Sequence, residues 1–265
     1  MSQTVDYAVG IGAARRLENE PMSDAEWQVR VELAAAYRLA QRNGWDELIY
    51  NHISARVPGP ADHFLLNPYG LSFDEVTASN LVKVDLDGNI IGNSEYPING
   101  AGFTIHSAIH AARHDAGCVL HLHTEAGVAV SMLEEGLLPL SQTSMLFHGR
   151  VAFHEYEGIA LDLDERKRLI DDLGDKSVMI LRNHGTLVTG RNVGEAYIQM
   201  YLLEKACKSQ LDAMACNVPL HRASPAVADK TGKMFNGAMP RYGGADTAWA
   251  AMMRRLDRID TSYKN

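Results

Sequence analysis

Cys118-Val119-Leu120-His121-Leu122-His123-Thr124 is a short, mostly apolar run, and Glu125 to Leu133 behind it turns to a helical period. That combination spells a buried strand feeding a helix. In a strand, residues two apart project to one face, so the imidazoles of His121 and His123 point together while Leu122 points away. Downstream the alternation repeats. Val151 to Tyr156 reads as a strand, Asp164 to Leu173 as a helix, and Ser177 to Leu181 as a buried strand ending in Arg182-Asn183-His184-Gly185. Leu187 to Gly190 continues across a tight turn, and Val193 to Ala215 holds the longest helical period in the chain.

Upstream, Gly102 to Arg113 is helical, with His106 and His110 four apart on one face. Leu48 to Val57 is extended until Pro58-Gly59-Pro60 breaks it, and His63 to Leu66 returns as the second strand of a hairpin. Asn67-Pro68-Tyr69-Gly70 makes a turn, and Asp87-Gly88 joins a strand over Val82 to Leu86 to Ile90-Ile91. Ser23 and Glu26 have capping-box spacing before a helix over Trp27 to Gln41. Helices alternating with short strands predict an α/β domain, a helix-flanked mixed sheet. Its expected limits are 23–216, with an irregular arm over 1–22 and a C-terminal extension over 217–265 that packs on the domain or on a neighbouring subunit. In that extension Tyr242-Gly243-Gly244 and Trp249 form an aromatic segment ahead of a short helix over Met252 to Ser262.

With 33 acidic and 25 basic residues in 265, the chain carries a formal charge of −8, which disfavours a general nucleic-acid binder. No apolar run is long enough to span a bilayer, and Met1 to Pro21 lacks the pattern of a signal peptide, so a soluble, cytoplasmic protein is expected. Cys118, Cys207 and Cys216 are an odd set without CxxC spacing, and so are expected to be reduced.

Seven of the eleven histidines fall between His106 and His154. His121 and His123 form one chelating arm. His184, in a turn at the end of a buried strand, supplies a third imidazole, and three such donors with an open position suit a catalytic zinc, iron, manganese or cobalt ion. His106 and His110 are expected to orient the site or pack their helix. His63, His114, His148 and His221 are expected to be structural or solvated.

Asn51-His52-Ile53-Ser54, Asn67-Pro68-Tyr69-Gly70-Leu71, Thr77 to Val84, Ala101-Gly102-Phe103 with His106 to Ile109, the His121 to Thr124 run and Asn183-His184-Gly185 resemble, in that order, the class II aldolase and adducin family. Glu204-Lys205-Ala206-Cys207 looks especially like the adducin-head branch and its bacterial relatives. The resemblance implies a single three-layer α/β/α domain with a mostly antiparallel sheet, usually a homotetramer with sites at subunit interfaces. It implies a divalent metal, commonly zinc, on His121, His123 and His184. It also implies a pocket lined by Asn51, His52, Tyr69, Gly70 and Gly102, and an acid–base group at His154 or Tyr156, near the family's tyrosine proton donor.

The resemblance breaks at one point. Sugar-phosphate aldolases of the family carry a base glutamate where this chain has Gly102, and small hydroxyl residues where it has Gly100 and Ala101. A glycine neither takes a proton nor coordinates. The expectation is therefore a metal-dependent carbon–carbon lyase, acting by aldol cleavage or decarboxylation on a small hydroxy- or oxo-carbonyl compound through a metal-stabilised enolate, and not a standard sugar-phosphate aldolase. An Fe(II) oxygenase of aromatic or oxo-acids using the same histidines, and a non-catalytic adducin-like assembly protein, are the alternatives. No actin- or spectrin-binding tail is in view.

Overall fold

The computed structural model describes residues 16–17, 22–59, 62–158, 164–238 and 244–265. Most of the expected N-terminal arm and Tyr242-Gly243 lie outside the described residues. In chain order the elements are β1 (Arg16–Leu17), α1 (Asp24–Arg42), β2 (His52–Arg56), β3 (Phe64–Leu66), β4 (Val82–Val84), β5 (Ile90–Ile91), α2 (Gly100–Ala112), β6 (Cys118–Leu122) and α3 (Glu125–Ser131). Then come α4 (Gln142–Met145), β7 (Val151–His154), α5 (Glu165–Leu173), β8 (Val178–Leu181), β9 (Gly185–Gly190), α6 (Val193–Ala215), α7 (Pro225–Ala238) and α8 (Gly244–Asp257).

The strands form one sheet in the order β1-β5-β4-β3-β2-β6-β9-β8-β7. Only β1–β5 and β7–β8 pair parallel, so the sheet is mostly antiparallel. Side-chain alternation builds a layer on each face. Cys118, Leu120 and Leu122 of β6 share one core with Ile53, Ala55, Val178, Ile180 and Val188, packed against Leu33 and Tyr37 of α1 and Tyr197, Met200 and Leu203 of α6. Val119 of the same strand joins Met179, Leu181 and Leu187 against Ile105 and Ile109 of α2 and Leu169 and Leu173 of α5. Helix α2 also lays Phe103 over Phe64, Leu66, Val82 and Val84. Among the described residues, no helix is long and apolar enough to cross a membrane.

Register decides where the site falls. His52 opens β2 opposite His121 near the end of β6, and Gly185 opens β9 opposite Leu181 at the end of β8. Strands β3, β6, β7 and β8 therefore end where β2 and β9 begin, and the segments after them gather at one rim of the sheet.

Three details depart from the sequence-based expectation. Ser23 caps α1, its Oγ accepting from the Glu26 amide at 3.1 Å, but the Glu26 carboxylate does not return to the cap. It turns inward to Arg30 at 2.9 Å and Lys83 at 3.1 Å, where two buried cations need its charge more than an exposed amide does. Helix α7 was not legible: Gly232 interrupts its interior and it buries little beyond Ala228. Helix α8 starts at Gly244 and contains Trp249, so the expected start at Met252 is too late. It packs on α6 of its own chain, with Trp249 5.4 Å from the Tyr197 ring, and the terminal Tyr263 is fully buried. The free cysteines Cys118 and Cys207 are buried, and Cys216 is exposed.

Candidate metal centre

His121, His123 and His184 converge at that rim, one nitrogen from each lying within 4.8 Å of the others. His121 Nε2 stands 3.1 Å from His123 Nε2 and 3.2 Å from His184 Nε2. Two ligands at ordinary Zn–N lengths of about 2.0–2.1 Å and tetrahedral angles would sit about 3.3 Å apart, close to both values.

The hydrogen bonds behind the rings assign the tautomers. His121 Nδ1 lies 3.1 Å from the Thr186 carbonyl, which can only accept, so Nδ1 carries the proton and Nε2 a lone pair. His123 Nδ1 donates to Glu47 Oε2 at 2.5 Å, which leaves Nε2 as the nitrogen turned toward the other two rings. The Nε2 atoms of His121 and His123 face each other at 3.1 Å, the side of both rings from which a cation would be held. Burial, followed by the neighbouring His184 and His123, holds the His121 imidazole well below its ordinary pKa. Burial also lowers His184 to about 4, with His123 adding and Glu47 opposing. Both rings are therefore neutral at pH 7, the form in which imidazole binds metal. The donor set fits a divalent cation.

Backbone geometry places the third ring. Asn183 takes a left-handed φ of 56°, and the His184 amide donates to the Leu181 carbonyl at 3.1 Å, closing a turn that aims the ring back at β6. Gly185 lets β9 come close: a Cβ there would stand 2.7 Å from the Leu122 carbonyl oxygen.

The residues singled out for pocket and proton transfer fall at different distances. His52 is buried, its ring centroid 5.5 Å from that of His121. Asn51 is buried as well, and its Oδ1 accepts from the Glu47 amide at 3.0 Å, so it braces the loop that carries Glu47. Tyr69 and Gly70 lie in the turn after β3, at the same rim but two strands from β6. Gly102 sits in the first turn of α2 against His52. Tyr156 is 54% exposed with its ring centroid 6.2 Å from that of His184. His154 is buried between Asp172, 2.7 Å from Nδ1, and Glu165, 3.3 Å from Nε2, so carboxylates engage both its nitrogens. His106 Nδ1 and His110 Nε2 meet the buried Ser54 hydroxyl at 2.5 and 2.7 Å, tying α2 to β2.

Sequence reasoning missed Glu47, a loop residue with no motif around it. Glu204 of α6, singled out only for its resemblance to the adducin head, accepts from the Thr124 hydroxyl at 2.6 Å and the Gly127 amide at 3.2 Å and so anchors the start of α3 directly after His123.

A sheet of this topology with a three-histidine rim defines the class of protein, and the comparisons agree. Residues 31–211 match the model of the Class II Aldolase and Adducin N-terminal domain, and the chain belongs to that family. The crystal structure of an aldolase II superfamily protein from Pseudomonas syringae superposes with a TM-score of 0.86 at 53% identity, covering 92% of this chain and 98% of that one. L-fuculose 1-phosphate aldolase from Glaciozyma antarctica PI12 superposes with a TM-score of 0.79 at 29% identity, covering 93% of this chain and 97% of that one. Alpha-adducin of Rattus norvegicus is 43% identical over 87% of this chain, which spans only 33% of that longer protein.

Proposed function

We propose that the chain is a metal-dependent carbon–carbon lyase acting on a small hydroxy- or oxo-carbonyl compound, by aldol cleavage or decarboxylation. The observation that carries this reading is the convergence of the Nε2 atoms of His121, His123 and His184, 3.1 and 3.2 Å from one to the next. A divalent cation, zinc in the first instance, would be held there and would supply Lewis acidity to adjacent oxygens of the substrate. Around it the chain's own residues have distinct tasks. Glu47 and the Thr186 carbonyl fix the tautomers of His123 and His121. Tyr156 offers an accessible phenol beside His184 for proton transfer. His154, held by two carboxylates, serves as a brace between β7 and α5.

Two features favour an unphosphorylated substrate. The amides of Ala101 and Gly102 at the start of α2 are already taken by Asn99 Oδ1, at 3.0 and 3.2 Å. Positions 100–102 carry neither hydroxyl nor carboxylate. Exposed Leu48 and Tyr50 flank the Glu47 loop, and with Tyr156 they support a mouth covered by another copy in a homotetramer.

The test is metal analysis of protein purified without chelator, followed by turnover of hydroxy- and oxo-acids with zinc, manganese or iron, in air and without it. One equivalent of metal lost in His121→Ala and His184→Ala, with oxygen-independent carbon–carbon cleavage, is the expected result. Turnover that requires iron and oxygen would instead establish an oxygenase. The identity to alpha-adducin favours a second reading, a non-catalytic assembly protein, which substoichiometric metal would select.

A further inference from the structure

Gly102 and His52 are fitted to each other. A Cβ on Gly102 would stand 2.5 Å from Cδ2, 2.7 Å from Cγ and 2.8 Å from Nε2 of the His52 ring, distances that real Cβ atoms do not show. The ring has nowhere to retreat. It meets His106 edge-on with centroids 5.3 Å apart, and lies 5.5 Å from His121, its cross-strand partner. Any side chain at 102 would displace the imidazole.

What the glycine admits is an unsatisfied polar group. His52 is 3% exposed and its Nδ1 is buried without a hydrogen-bond partner. An imidazole left this way costs about 1–3 kcal/mol unless something else satisfies it. His121 lies beside the ring, and His123 and His184 are near enough to act on its charge, so the missing partner is assigned to whatever the three histidines hold.

We propose that His52 is a ligand-contacting residue of the triad pocket, hydrogen-bonding an oxygen of a small hydroxy- or oxo-carboxylate held at the three histidines, and that Gly102 exists to make room for its ring. A neutral imidazole carries one N–H to offer to an oxygen. The ligand class rests on the metal-dependent reading above, whereas the Gly102–His52 fit does not.

Two measurements separate these parts. Thermal unfolding of the metal-free protein is compared for Gly102→Ala, His52→Ala and the double variant. Gly102→Ala should lower the midpoint by several degrees, and adding His52→Ala should recover most of that loss. Additive effects would overturn the fit. Oxalate, a chelator of adjacent oxygens, is then titrated into cobalt-loaded protein and followed by the cobalt visible absorption. His52→Leu should weaken oxalate by about tenfold at unchanged cobalt stoichiometry, while His52→Gln, which keeps a hydrogen bond, should stay within about threefold. Equal affinity in all three proteins, or cobalt-loaded unsubstituted protein that binds no oxalate, would overturn the contact. Failure of the unsubstituted protein to hold cobalt would remove the metal-centred reading and the contact together, leaving the thermal coupling to judge the fit alone.

Discussion

Glu47 Oε2 accepts a hydrogen bond from His123 Nδ1 at 2.5 Å, across 76 positions of sequence. The carboxylate lies on the loop before β2 and the imidazole just beyond β6, so the antiparallel pairing of those strands brings them together. Carboxylates behind a ligating histidine raise its basicity and hold its orientation. Glu47→Ala should weaken zinc by about 10- to 100-fold, and Glu47→Gln by less, as read by competition with a chromophoric chelator. Unchanged affinity in both would remove Glu47 from the site.

A ligand that binds only the folded chain stabilises it by mass action, by about 2.7 kcal/mol at a hundredfold excess over Kd. Thermal scans with zinc and with a chelator should therefore differ by several degrees. His184→Ala should abolish the difference, because two imidazoles bind a cation far less tightly than three.

Acid should unfold the metal-free protein above the carboxylate range. Burial, then the charge of Arg56, lowers His110 to about 3, and burial lowers His52 and His106 as well. Below the unfolded value of about 6.5 the unfolded chain takes up a proton on each of these rings and the native chain does not, so stability is greatest above that pH and falls as pH drops toward 3. At pH 5 the loss from His110 is about 2 kcal/mol, and His52 and His106 add to it in the same direction. Urea unfolding midpoints at pH 7.5 and 5 check this, and His110→Gln should flatten the dependence.

The inward turn of Glu26 makes it, among the described residues, the carboxylate that Arg30 and Lys83 share, with side-chain exposures of 4% for Glu26, 6% for Arg30 and 4% for Lys83. Removing one member strands the others in the interior, which costs about 3–5 kcal/mol. Glu26→Ala should lower the unfolding free energy by that much, read from the denaturant midpoint. The double variant with Lys83→Met should recover part of it, since one fewer cation is left unpaired.

Much of this molecule was written in local pattern. The i, i+2 spacing of His121 and His123 on an apolar strand requires that both rings share a face, whatever surrounds them. Asn183-His184-Gly185 after a buried run requires a turn, and α6 follows from periodicity alone over its full length. Each of these depends on neighbours in sequence. Helix α7 escaped because, among its described side chains, the buried positions Ala228 and Gly232 carry a methyl group and a hydrogen, which leave no apolar stripe to read.

The partners had to wait for the fold. Glu47 has no motif, Ser54 joins His106 and His110 only once β2 lies under α2, and His154 loses its freedom only when α5 brings Glu165 and Asp172 against β7. The absence of a side chain at Gly102 was plain in the sequence. That the space is filled by a histidine 50 residues earlier was not, because steric exclusion between distant segments leaves no trace in local order. Composition and spacing determined which groups were available and which way each pointed along its own strand or helix. Strand register and helix packing decided which of them meet.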